Sequence, residues 1–174
     1  LYVPVVTEPR QAASALQWAV SEMERRLKVF ERAGARNIGV YNEMCVSGKL
    51  SKMDNPPESM PFMVIIIDEL SDLMMVAGKD VEASIVRIAQ LARAAGIHLV
   101  LATQRPSADV VTGLIKSNIE TRIALSVASN TDSRVIIDQT GAQRLLGNGD
   151  MLFRYRGHRT RRVLGCYVSD SEIE

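Results

Sequence analysis

The sequence predicts an α/β fold in which apolar strands alternate with helices and an antiparallel hairpin closes the chain. Three observations carry that expectation. Phe62-Met63-Val64-Ile65-Ile66-Ile67 is an unbroken apolar run of strand length, and its lack of alternation predicts a strand covered on both faces. Segments with apolar residues three or four apart flank such runs, which is helical periodicity. Strand–helix–strand order then implies parallel pairing, with right-handed crossovers that place helices on both faces of the sheet.

Composition narrows the class. The 174 residues are 47% apolar and 24% charged with 11 Gly, which excludes disordered and collagen-like chains and suffices for a core without a metal or disulfide staple. Lys plus Arg total 21 and Asp plus Glu total 20, so net charge points to no partner. The longest apolar run, Phe62 to Ile67, is far short of the ~20 residues that span a bilayer. Cys45 and Cys166 make no disulfide framework and suit a reducing compartment. With His98 and His158 they show no metal-ligand spacing, so no structural zinc is expected. Leu at position 1 suggests a piece of a longer polypeptide.

The elements follow in order. A helix is predicted over residues 8–33, capped by Thr7, with Pro9 in its first turn and Gly34 at its end. Ala12, Leu16, Ala19, Met23, Leu27 and Phe30 form its apolar face. A short helix over 37–45 leads to a loop over 47–61 containing Gly48, Asn55, Pro56, Pro57 and Pro61. The strand at 62–67 comes next. A helix over 81–95 is capped by Asp80, points Val81, Ile85, Ile88, Ala89 and Ala92 inward, and ends at Gly96. Strand 97–103, helix 109–117, strand 122–127 and helix 132–138 continue the alternation. Gly147-Asn148-Gly149 reads as a turn, and residues 151–156 and 161–168 as a hairpin around Gly157. No second domain and no repeat is evident.

In an open parallel sheet, ligands bind beyond the carboxyl ends of the strands. Asp68 and Glu69 follow the first strand, Gln104, Arg105 and Pro106 the second, and Ser126, Ser129 and Asn130 the third, so three polar clusters are expected along one edge. The acidic pair is the sharpest feature. Desolvation makes an unpaired carboxylate costly at the end of an apolar strand, and a cation relieves that cost. In a nucleotide-hydrolysing site the first acid holds Mg²⁺, usually through water, and the second activates the attacking water. The plain alternative is that Asp68 caps the next turn and Glu69 is solvated. Gln104 strengthens the first reading, because an amide at the neighbouring strand end can touch both the γ-phosphate and the lytic water.

The segment from Phe62-Met63-Val64-Ile65-Ile66-Ile67-Asp68-Glu69 through Leu70-Ser71-Asp72-Leu73-Met74-Met75 resembles the Walker B segment of the FtsK/SpoIIIE DNA translocases. The stretch from Ala92-Arg93-Ala94-Ala95-Gly96 to Ala102-Thr103-Gln104-Arg105-Pro106-Ser107 is similar to the same family. So are Val111-Thr112-Gly113-Leu114-Ile115-Lys116, Asp132-Ser133-Arg134 and Leu145-Leu146-Gly147-Asn148-Gly149-Asp150-Met151-Leu152. The resemblance covers nearly the whole chain. It implies a RecA-like P-loop NTPase core, largely parallel with a C-terminal antiparallel hairpin, in a motor that forms a ring, usually a hexamer, and pumps double-stranded DNA with ATP. It also implies a parent on the cytoplasmic side of the bacterial membrane, anchored through segments outside this chain.

The family's phosphate-binding loop is missing. Ser47-Gly48-Lys49-Leu50 has Leu where the Mg²⁺-binding hydroxyl belongs and Glu43 at the first Gly position, and Gly78-Lys79-Asp80 fails similarly, with Leu73 at the Gly position. The chain therefore resembles the part of a motor domain downstream of that loop, and the resemblance places a further strand between the second and third strands here. Residue by residue, it makes Asp68 the Mg²⁺ acid, Glu69 the base and Gln104 the γ-phosphate sensor. Arg93 becomes the arginine finger acting on a neighbouring subunit's ATP. A solvated helix-end arginine is the alternative for Arg93, with Arg87 and Arg122 as substitute fingers. Arg105, Lys116 and Arg134 match basic positions in or beside the DNA loops. Asn130 stands where many members carry Lys and retains only an amide for DNA.

The remaining features have plainer expectations. Arg154, Arg156, Arg159, Arg161 and Arg162, with no acidic neighbour in sequence, read as a solvated turn. His98 reads as a core residue, His158 as a turn residue, and Met74 and Met75 as core or interface filler.

Overall fold

The computed structural model describes residues 4–50 and 58–173, so Leu1 and the Asn55, Pro56 and Pro57 of the expected loop lie outside the described residues. The chain forms two compact units, Leu1–Gln104 and Arg105–Glu174.

The first unit is built from helices α1 (Pro9–Ala33), α2 (Ile38–Val46) and α3 (Leu70–Ala95) and strands β1 (Met63–Ile67) and β2 (Ile97–Leu101). Pro9 opens α1, because its missing N–H would be unsatisfied there anyway. The N-cap is Glu8, without a side-chain cap bond, and not Thr7. The Glu8 carboxylate is taken by the Gln11 amide at 3.1 Å. Gly34 ends the helix in the left-handed region, at φ 71°. Leu16, Ala19, Met23 and Phe30 are buried along α1, which packs against α3, where Val81, Ile85, Ile88 and Ala92 are buried.

Arg26 pins this layer. Only 3% exposed, it donates to the Pro61 carbonyl at 2.8 Å, to the Ala95 carbonyl at 3.1 Å and to Glu22 at 2.8 Å. It thereby joins α1 to the approach to β1 and to the last turn of α3. Hydrogen bonding by Arg25, helped by Arg26, overcomes burial and holds Glu22 at about 2. Asn37 caps α2 through the Val40 N–H. Asn42 binds both the N–H and the carbonyl of Met60, each at 2.8 Å, which fixes the chain just before β1.

The helix expected over 81–95 begins earlier, at Leu70, and is bent at Ala77 (φ −144°, ψ 39°) next to Gly78. Glu69 is its cap, not Asp80, whose carbonyl instead accepts the Ser84 hydroxyl at 2.8 Å. Strands β1 and β2 pair in parallel from Met63↔Ile97 to Ile67↔Leu101. Their pairing continues past the strand ends through Ala102 N–H to Ile67 and Leu70 N–H to Ala102, both 2.8 Å.

One face of this pair packs inward through Ile67 and Ile97, while Val64, Ile66 and Val100 are 59%, 70% and 49% exposed on the other. The expectation of two covered faces is corrected, since the helices of this unit shield only one. His98 is likewise an exposed residue of the open face rather than a core one, stacked on Phe62 with ring centroids 6.0 Å apart. Met75 is exposed as well. Gly96, between α3 and β2, has φ 72°, and a Cβ there would run into the Ile38 side chain.

The second unit contains α4 (Gly113–Asn118), β3 (Arg122–Ala124), α5 (Asn130–Ile137), a 3₁₀ turn (Ala142–Arg144), β4 (Asp150–Arg154), β5 (Arg161–Leu164) and α6 (Asp170–Ile173). Strands β3, β4 and β5 form an antiparallel sheet, so the third strand pairs with the hairpin and not with β2. Ala124, Ile137 and Ala142 are its buried centre, with Leu152 against them. Helix α4 starts four residues later than expected because Ser107 to Val111 form a turn and Thr112 caps the helix. Helix α5 starts two residues earlier, capped by Ser129. Gly147-Asn148-Gly149 is a turn with positive φ throughout, and His158 closes the hairpin turn by donating its N–H to Tyr155.

Candidate functional site

The apolar β1 delivers two acids to its carboxyl end, and they meet different surroundings. The Glu69 carboxylate is partly buried and takes three donors. Ser71 N–H and the Thr103 hydroxyl reach Oε1 at 3.0 and 2.5 Å, and Gln104 N–H reaches Oε2 at 2.8 Å. The ends of β1 and β2 therefore lie side by side, as expected for Asp68, Glu69 and Gln104. Partial burial pushes the Glu69 carboxyl up, but the Thr103 hydroxyl and the Gln104 and Ser71 amides outweigh it and hold it at about 2.

Asp68 is exposed and makes no hydrogen bond or ion pair among the described residues; the same holds for the side-chain amide of Gln104. The simple alternative is inverted here, since Glu69 caps the helix and Asp68 faces solvent. A single uncommitted carboxylate is the donor type that Mg²⁺ takes alongside water and phosphate oxygens, so Asp68 fits the ion implied by the resemblance. Among the described residues no three His, Cys, Asp or Glu side chains gather as a metal cage.

Arg93 lies exposed in the last turn of α3, and its guanidinium makes no hydrogen bond or ion pair among the described residues. The substitute fingers are engaged: Arg87 pairs with Glu24 at 3.2 Å, and Arg122 is bound to Asp138 at 2.7 Å. The structure thus leaves Arg93 the uncommitted member of the three.

In the second unit Asp138 gathers three cations. Lys116 reaches it at 2.7 Å, Arg122 at 2.7 Å and Arg154 at 3.0 Å. Arg122 and Arg154 also donate to the carbonyls of Ile136 and Ile137 at the end of α5. Burial raises the Asp138 carboxyl, and its bonds to Lys116 and Arg122 overcome this and hold it at about 2. Lys116 is thus tied into an ion network, while Arg134 and Asn130 are exposed on α5 and Arg105 is exposed at the unit's start.

The arginine cluster is more engaged than a solvated turn. Arg154 binds Asp138, Arg156 faces Glu120 at 3.5 Å, and Arg162 binds the buried Asp150 at 2.6 Å. Asp138 lies 16 residues from Arg154 and Asp150 lies 12 residues from Arg162, both outside the cluster itself, so the absence of acids within the cluster misleads. Sequence reasoning did not single out Thr103 or Asp138. Thr103 carried one available signal, its place directly before Gln104. Asp138 carried none, because its partners are 16 to 22 residues distant.

No helix among the described residues is long and apolar enough to cross a membrane. The model of the FtsK/SpoIIIE family matches residues 1–108. The chain is 56% identical over 175 aligned residues to the DNA translocase FtsK of Sporosarcina ureae and 54% identical to the DNA translocase SpoIIIE of Bacillus subtilis strain 168. Each match covers 100% of this chain and 22% of the relative, so the chain spans about a fifth of the length of these curated relatives. Among solved structures it is similar to the pCW3 conjugation coupling protein TcpA in a monomer form with ATPγS (31% identity, TM-score 0.82), over 97% of this chain and 47% of that one. It is also similar to the cytoplasmic domain of the Thermomonospora curvata type VII secretion ATPase EccC (27% identity, TM-score 0.71), over 85% of this chain and 16% of that one.

Proposed function

The chain belongs to the FtsK/SpoIIIE family, and on that premise we propose that it is the Walker B part of an ATP-driven motor that translocates double-stranded DNA. The observation that carries this reading is the 2.8 Å bond from Gln104 N–H to Glu69, which joins an acidic strand end to the neighbouring strand end where an uncommitted amide sits. In this reading Asp68 holds Mg²⁺ through water, Glu69 orients and deprotonates the attacking water, and Gln104 reads the γ-phosphate. Arg93 acts on nucleotide bound by the next subunit of a ring, a hexamer in this proposal. Bound Mg²⁺ supplies neutralisation of the phosphate charge that builds during transfer.

Arg105, Lys116, Arg134 and Asn130 contact DNA phosphates, which gives grip without sequence readout and suits a motor that must pass over any DNA. For Lys116 a phosphate replaces or joins Asp138 as counter-ion. The complete protein works in chromosome partition at division or sporulation and is tethered to the membrane by segments outside this chain. This chain alone is expected to hydrolyse no ATP, because it carries no phosphate cradle.

The test is Glu69→Gln in a complete family motor carrying this chain's sequence. Turnover should fall by about 100-fold or more with nucleotide binding retained; undiminished hydrolysis would remove Glu69 from its role. The likeness to TcpA and EccC favours a second reading, a related ring ATPase that moves conjugative DNA or protein. Stimulation of hydrolysis by plain duplex DNA supports a motor that moves DNA, and its absence supports one that moves protein.

A further inference from the structure

Asp138 is surrounded by more positive charge than one carboxylate needs, and the three cations around it are not held alike. Arg122 also donates to the carbonyls of Ile119 at 3.3 Å and Ile136 at 3.0 Å, and Arg154 to that of Ile137 at 2.8 Å. Lys116 differs from both: among the described residues its ammonium has one hydrogen-bond partner, Asp138 Oδ1 at 2.7 Å. We propose that Asp138 is a positioning residue that parks the Lys116 ammonium between DNA contacts and yields it to a duplex DNA phosphate, so that the network weakens the grip at this lysine. This rests on the reading of Lys116 as a DNA contact, and it adds what holds that lysine when DNA is released.

The exchange costs little because of how the charges are shared. Lys116 uses Oδ1, while Arg122 and Arg154 share Oδ2 at 2.7 and 3.0 Å. When Lys116 leaves, Asp138 keeps two guanidinium partners and is not stranded, which is the costly outcome for a carboxylate in an ion network. The arginines have no such cheap trade, since each would abandon a backbone carbonyl as well. A lysine ammonium is a compact charge on a flexible stem, so it can turn from one anion to another without moving α4. The carboxylate stays in place. Asp138 ends α5 in left-handed backbone, at φ 58°, with its N–H bonded to the Arg134 carbonyl at 2.9 Å. Duplex DNA presents one negative charge per about 1.7 Å of axis, so every step along it offers Lys116 the same kind of partner. Competition from Asp138 makes each contact weaker than a free lysine would give and quicker to break, which suits a motor that must let go repeatedly.

The test is duplex binding by a complete family motor carrying this sequence, measured with a non-hydrolysable ATP analogue over a range of salt. Asn and Gly both accept left-handed backbone, so Asp138→Asn and Asp138→Gly remove the carboxylate and keep the turn. Each should tighten duplex binding about threefold, the size of one exposed ion pair, and the gain should vanish when Lys116→Met is added. An equal gain with and without Lys116 reflects only the loss of a negative charge from the surface and overturns the proposal. Unchanged or weaker binding in either folded variant overturns it too. Lys116→Met alone should make the slope of log affinity against log salt shallower by about 1. A slope that this variant leaves unchanged removes Lys116 from the DNA contacts, and the proposal falls with that reading. A shallower slope without coupling to Asp138 leaves the contact standing and sinks the proposal alone.

Discussion

Glu69 in the first unit and Asp138 in the second are both carboxylates held at about 2, yet their surroundings share almost nothing. Glu69 is stabilised as an anion by two backbone N–H groups and a side-chain hydroxyl, all uncharged. Asp138, with its side chain 41% exposed, is stabilised by three full positive charges. Dipoles act at contact range and leave the negative charge of the group intact for a further cation. An ionic network overcompensates: one anion against three cations leaves surplus positive charge at the surface, and salt screens it over ~10 Å. The same acidity therefore arises from neutral donors in one unit and from an ionic network in the other.

The widest test of this contrast removes the buried cation of the first unit. Arg26→Met leaves the Pro61 and Ala95 carbonyls and Glu22 without their donor, and it should lower unfolding stability by about 3 kcal/mol, little changed between low and high salt in denaturant titrations. Asp138→Asn, by contrast, leaves three cations crowded without their anion. The expected loss is about 1 kcal/mol at low salt, shrinking towards zero near ~1 M salt; a loss that ignores salt would erase the distinction.

The smallest effect is in the titrations themselves. Both carboxyls are depressed from their ordinary values of 4.5 and 3.8. The stability they lend is complete above those values and is lost as pH falls through them towards 2. Raising salt should move the Asp138 midpoint up by about 0.5 pH unit and leave Glu69 where it is, read by carboxyl NMR in one sample.

What the sequence made legible was local. The abrupt change from Ile67 to Asp68 and Glu69 marks a strand end and a polar site within three residues, and Gln104 follows its strand just as plainly. What it hid was set by distance. Arg26 reads as one more charge on a helical polar face, and only folding brings the Pro61 and Ala95 carbonyls to it. The first turns of α3 were not read as helix, and the structure joins them to the expected stretch across a kink, with non-helical backbone at Ala77 beside Gly78. Apolar pattern reports which surfaces are suited to cover, not which are covered, so Val64, Ile66 and His98 were assigned an interior that this unit does not provide.

Gly96 bears on how β2 is held in place. With its left-handed backbone wedged against Ile38, it fastens the amino end of β2 to the helical layer, and the ladder to β1 fastens the rest as far as Ala102. The strand behaves as a rod anchored at its base, unable to slide lengthwise. The same moorings run on past the strand, where Ala102 is bonded to Ile67 and Leu70, and Thr103 and Gln104 to Glu69, so the carboxyl end of β2 is stitched to its neighbour as firmly as its start is stitched to the helices.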